Sequence, residues 1–291
     1  MLGATKKFVM CVAVLLTAAL AAGAILKPAA VKSAAMPAAQ AGSVRYIAHR
    51  GYHAQAPENT MPAFAAAAAA GYRFVESDVR FTKDGVAVLC HDGTINATAR
   101  NADGSEIDGD KAIQDMTYES LARYDFGLAR GEAYRGTPIP TFREWIAFCR
   151  EAQLTPYIEL KPEMTADQIR TLLAVVEAEG MAETAVWISF SGGMLQALVA
   201  ADPAAEVGLL CMELTDAAVA AAKTLQTGEN RVFLDALYTG LTSAAVQLAL
   251  RAGLEVEAYT VDDARTAGTL TAYGVVGITT NTLLPAAWMA A

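Results

Sequence analysis

Histidine is scarce in this chain: three residues among 291, His49, His53 and His91. That scarcity argues against zinc, which draws several His or Cys ligands. Cysteine is hardly richer. Of the four, Cys11 lies in an apolar run, and Cys90, Cys149 and Cys211 leave an odd number that builds no disulfide framework. They read as small apolar core residues. Positive charge is short as well. The first 41 residues carry four lysines and no acid, so the remainder holds 18 basic against 31 acidic residues, a net of −13. This argues against a nucleic-acid partner, which demands a cationic face, but leaves room for a phosphate held through a metal. No GxGxxG turn is present to support a dinucleotide-binding sheet.

Long apolar runs are absent with one exception. Residues 8–26 form nineteen uncharged apolar positions preceded by Lys6 and Lys7. As a helix the run would cover roughly 28 Å, close to a bilayer's hydrocarbon thickness. Residues 1–43 therefore read as a signal peptide or membrane anchor followed by an Ala/Pro-rich tether. Ala39-Gln40-Ala41 fits a cleavage site but lies far beyond the run. A retained anchor is favoured, with the rest of the chain outside the cytoplasm, membrane-anchored or secreted.

From Val44 to Ala291 short β-like runs alternate with Ala/Leu-rich helical stretches. Strands are expected near 45–49, 74–80, 86–91, 155–161, 184–190, 206–212, 231–234, 255–261 and 276–279. Helices are expected to start near Met61, Thr141, Thr165, Gly193, Asp216, Thr242 and Asp262. About eight such units imply a parallel sheet closed into a (β/α)8 barrel. An open doubly wound sheet is the alternative. Residues 92–139 are polar and turn-rich and read as an insertion over the barrel mouth. Its aromatics, Tyr118, Tyr124, Phe126 and Tyr134, read as a small local core.

Two strands carry charge where barrel strands are usually apolar. Glu76 and Asp78 are two apart and share one strand face; Tyr157, Glu159 and Lys161 repeat the pattern. Three carboxylates at strand ends suit a hard divalent cation, Ca²⁺ or Mg²⁺. An ion-pair cluster balanced by Arg50, Arg80 and Lys161 is the alternative, and spacing does not separate the two. His49 and His91 at neighbouring strand ends favour the metal reading: one as general base, the other as general acid. Arg50 offers a fork suited to phosphate oxygens. His53 reads as an exposed loop residue.

These residues carry a resemblance. His49-Arg50-Gly51, Pro57-Glu58-Asn59-Thr60, Glu76-Ser77-Asp78-Val79, His91-Asp92 and Ile158-Glu159-Leu160-Lys161 occur in the order found in the glycerophosphodiester phosphodiesterase family. Tyr259-Thr260-Val261-Asp262 and Gly277-Ile278-Thr279-Thr280 resemble its last two strands. The resemblance implies a (β/α)8 barrel with an insertion after the second barrel strand, so Val86–His91 would lie outside the ring. It implies His49 and His91 as the acid/base pair, and Glu76, Asp78 and Glu159 as ligands of one Ca²⁺ or Mg²⁺. Arg50 and Lys161 would contact phosphate, Glu58 and Tyr259 would line the mouth, and Asn59 would order the start of the first helix. The implied reaction cleaves a glycerophosphodiester to glycerol 3-phosphate and an alcohol. A phospholipase-like diesterase acting on lysolipids at a membrane, and a non-catalytic phosphate-binding barrel, are the rivals. Asn281 stands where the family often has aspartate, and a turn role would survive that change.

Overall fold

The computed structural model describes residues 44–162 and 164–285; the apolar run and tether, 1–43, lie outside the described residues. Eight parallel strands close into a ring. They are β1 (Arg45–Ala48), β2 (Phe74–Phe81), β4 (Thr155–Leu160), β5 (Val186–Ser189), β6 (Glu206–Cys211), β7 (Val232–Leu237), β8 (Glu255–Tyr259) and β9 (Gly277–Thr280). Each pairs with its successor, and β1 pairs with both β9 and β2, which shuts the barrel and excludes the open sheet. The short β3 (Ala87–Leu89) runs antiparallel along the end of β2, outside the ring. Among the described residues, no helix is long and apolar enough to cross a membrane.

Between strands lie α1 (Met61–Ala69), α2 (Tyr118–Leu121), α3 (Phe142–Ala152), α4 (Ala166–Ala178), α5 (Gly192–Ala201), α6 (Asp216–Lys223), α7 (Ser243–Arg251) and α8 (Ala264–Tyr273). Polar caps start most of them. Thr141 with Glu144, and Thr165 with Gln168, form reciprocal capping boxes, each satisfying two otherwise free amide donors. In α3 the buried residues are Phe142, Trp145, Ile146 and Cys149, a spacing of three and four that lays one stripe on the ring. Trp145 is fully buried against Phe64 and Phe142 at 5.5 and 6.1 Å between ring centres. This shell, between the strands' outer faces and the helices, is the main core.

Inside the ring, residues fall into layers. At the N-terminal end Arg45 and Arg231 meet Glu206, Glu255 and Glu257. The buried Glu257 receives Arg45 at 2.8 Å, Arg231 at 3.1 Å and the Tyr157 hydroxyl at 3.2 Å on one oxygen. Gly277 makes room for it, since a Cβ there would come within 2.6 Å of the Glu257 carboxyl carbon. Above lie Ile47, Tyr157, Val186, Ile188, Leu210 and Phe233, a plug of apolar side chains. The C-terminal rim carries the remaining charge.

The insertion after β3 keeps its own small core of Ile95, Ala99, Ile113, Leu121, Phe126 and Ile139, with Tyr118 and Tyr124 packed on it. It is tied to the first strand-helix loop, where Arg130 donates to the Ala54 carbonyl and the Tyr134 hydroxyl to that of Gln55.

Candidate active site

The turn after β1 sets up the site. Arg50 and Gly51 both adopt positive φ, 55° and 76°, so the chain reverses sharply. At residue 51 only glycine fits: a Cβ would lie 2.7 Å from the Ala63 backbone of α1. The reversal aims the Arg50 amide at Glu76 Oε2, 2.8 Å away, and its guanidinium at Glu58 (2.9 Å) and Asp78 (3.5 Å). Glu58 stands behind the cavity lining, holding Arg50. Asn59, at φ 54°, does not cap α1. Its amide donates to Asp78 Oδ2 at 2.8 Å, and its carbonyl accepts from Ser77 Oγ at 2.6 Å, tying the loop to β2.

Register then gathers the acids. Asp78 pairs with Glu159 across β2 and β4, and Glu76 with Tyr157. Glu76, Asp78 and Glu159 are all buried and each offers an oxygen within 4.8 Å of the others. Lys161 Nζ stands 2.7 Å from Asp78 Oδ1 and 2.6 Å from Glu159 Oε1. Arg80 takes no part in this balance: it donates to the His91 carbonyl at 3.0 and 2.6 Å. Burial and the charges of Asp78 and Glu159 push the Glu76 carboxyl well above its ordinary value. Burial and Asp78 push Glu159 up to about 7. Burial acts on Asp78 too, but Lys161 and Arg50 outweigh it and hold that carboxyl below the usual range. Glu76 Oε1 is buried with no hydrogen-bond partner. Three hard oxygen donors, short of positive charge and with one lone oxygen, fit a Ca²⁺ or Mg²⁺ ion well.

Both His49 and His91 line the same cavity as Arg50, Glu76, Glu159, Lys161 and Tyr259, a space of about 180 Å³. His91 arrives through β3, whose pairing with β2 brings the residue to the rim; its Nδ1 lies 2.7 Å from Asp92. His49 is oriented from the far end of the chain. Asn281 donates through its amide nitrogen to Asp262 at 2.7 Å, which turns its carbonyl towards His49 Nδ1, 2.7 Å away, and His53 Nε2, 2.5 Å away. A carbonyl only accepts, so Nδ1 of His49 carries the proton and Nε2 keeps its lone pair. Burial and the Arg50 charge push this imidazole down to about 4. His53 is thus no loose loop residue: it packs edge-on to His49 at 5.8 Å and reaches within 3.8 Å of Glu58.

Residues 49–284 match the family model described as the glycerophosphoryl diester phosphodiesterase family. The chain belongs to that family. A glycerophosphodiester phosphodiesterase of Caldanaerobacter subterraneus is 30% identical over 166 residues, 56% of this chain and 65% of that protein. Human glycerophosphodiester phosphodiesterase 1 is 37% identical over 118 residues, 40% of this chain and 33% of that one. The matches thus span less than two thirds of either curated relative. Among solved structures, an Oleispira antarctica phosphodiesterase in complex with the product sn-glycerol-3-phosphate superposes with a TM-score of 0.74. It is 26% identical over 82% of this chain and 93% of that one. In this family member Asp262 and Asn281, both at the end of the resemblance, reach back to His49 and His53, a contact that their sequence position does not disclose.

Proposed function

We propose that this protein hydrolyses glycerophosphodiesters to glycerol 3-phosphate and an alcohol, with a divalent cation and the His49–His91 pair. The observation that carries the reading is one cavity lined by two imidazoles, a guanidinium, an ammonium and buried acids with an unpartnered oxygen. Family membership and the product held by the Oleispira relative support it. Glu76, Asp78 and Glu159 would hold the ion, which supplies positive charge to the non-bridging phosphate oxygens. Arg50, clamped between Glu58 and Asp78, and Lys161 present the remaining donors to the same oxygens. His49, unprotonated at neutral pH with Nε2 free, takes the proton of the attacking oxygen. His91, braced by Asp92, returns one to the departing alcohol. Residues 1–43, acting as signal or anchor, would set the barrel outside the cytoplasm. The test is release of glycerol 3-phosphate from a panel of glycerophosphodiesters over a Ca²⁺ and Mg²⁺ series. Binding without release would establish a non-catalytic phosphate-binding barrel instead.

One feature favours a lysolipid-type substrate as a second reading. Phe190 and Met212 are the exposed large hydrophobics among the described residues, at 45% and 59%. Both stand at the mouth: Phe190 packs edge-on to Tyr259 at 6.0 Å, and the Tyr259 hydroxyl lies 3.6 Å from Met212 Sδ. Such a rim suits an apolar leaving group. Turnover of lysophosphatidylcholine faster than glycerophosphocholine would select this reading.

A further inference from the structure

Most charged side chains inside the barrel have partners; Asp235 has none among the described residues. It sits on β7, across the ring from β2, between Leu210 of β6 and Glu257 of β8 in register. It is 1% exposed and lines the catalytic cavity with Ile188, Leu210 and Thr279. Its Oδ1 is buried without a hydrogen-bond partner. Glu257 below is engaged by Arg45, Arg231 and Tyr157. An unpartnered carboxyl at an apolar wall destabilises the fold, and a leucine would suit these neighbours better. Such a group persists where a ligand completes it.

The cavity's polarity says which ligand. Its cations, Arg50 and Lys161, follow β1 and β4 and would face a phosphate; across the ring β7 offers Asp235, and β9, beside β1, adds the buried Thr279 hydroxyl. We propose that Asp235, with Thr279, receives the free hydroxyls of the substrate's glycerol moiety and selects polyol phosphates over simple alkyl phosphates. Burial and the Glu257 charge push the Asp235 carboxyl well above its ordinary value. A neutral carboxyl both donates and accepts, which matches a hydroxyl. This inference rests on reading the cavity as a phosphodiesterase site.

Glycerol 3-phosphate and propyl phosphate differ by two hydroxyls, so their binding ratio separates the hydroxyl contacts from those to the phosphate, and the Asp235 variants isolate this residue's share. Calorimetry on the full chain should show glycerol 3-phosphate bound on the order of 10²-fold tighter. In Asp235→Leu the ratio should fall close to one while thermal unfolding shifts upward. If Asp235→Leu does not fold, Asp235→Ala is read the same way, by the ratio. A ratio near one in the parent chain, or one preserved in a folded variant, overturns the proposal. Equal weakening of both ligands does so too, because it marks a structural role. A chain that discriminates the two phosphates yet cleaves no diester keeps Asp235 as the hydroxyl reader and sinks the phosphodiesterase reading. Cleavage without discrimination does the reverse.

Discussion

The two ends of the barrel lumen hold nearly the same inventory, three carboxylates and two cations, and use it differently. At the N-terminal end Arg45 and Arg231 spread across Glu206, Glu255 and Glu257, and Arg231 also lies 4.5 Å over the Phe233 ring. Glu255 is half-exposed there and its carboxyl, though burial opposes it, is held low by Arg231. At the C-terminal end the three acids are packed within 4.8 Å, one Arg50 contact goes to Glu58, and Glu76 keeps a bare oxygen. At one end every carboxylate pairs with an arginine; at the other, Glu76 has no ion-pair partner among the described residues, a deficit that suits an outside cation. Charge placement, not charge count, separates scaffold from site.

Breaking one end at a time tests that contrast. The largest effect belongs to His49→Ala, expected to lower kcat by roughly 10²–10⁴-fold with an unchanged melting temperature; undiminished turnover would remove His49 from the chemistry. Next, Arg231→Met at the opposite end should cost roughly 2–4 kcal/mol in urea unfolding, while activity per folded molecule holds. Glu76→Gln should abolish the stabilisation that saturating Ca²⁺ or Mg²⁺ confers, about 2.7 kcal/mol at a hundredfold excess over Kd. EDTA should do the same to the parent chain, and a melting temperature indifferent to both would refute the metal site.

Smaller effects sharpen the picture. His49 titrates near 4 when folded against an ordinary 6.5. The unfolded chain therefore binds the extra proton first, and this group's contribution to stability is lost as pH falls from about 6.5 towards 4. Asn281→Asp puts a charge beside His49 and should raise the acid limb of the kcat/KM profile by about one to two pH units. An unmoved limb would show that His49 does not govern it. Thr141→Ala, at neither end, should cost about 1 kcal/mol by uncapping α3 and leave both lumen clusters untouched.

Much of this was legible in the residues. Strand faces of period two, threonine caps ahead of helical stripes, and paired acids on β2 and β4 are local signals that local chemistry produces. The ring was readable because strand-helix units repeat, and β3 stayed outside it. What could not be read was set by closure. Asn281 meets His49 across 232 positions, and Asp235 stands out only when the ring brings it to the cavity. That Glu58 clamps Arg50 was not legible either, because it follows from the positive-φ turn that directs the guanidinium. His53 was read as exposed since nothing nearby in sequence hints at Asn281.

The seam between β1 and β9 carries a consequence for biosynthesis. His49 lies early in the chain, but the Asn281 carbonyl that accepts from its Nδ1 arrives only when the final strand docks. A chain still short of residue 281 holds Glu76, Asp78, Glu159, His49 and His91 yet leaves the His49 ring without that anchor. The cavity's lining is therefore complete only once β9 has docked on β1.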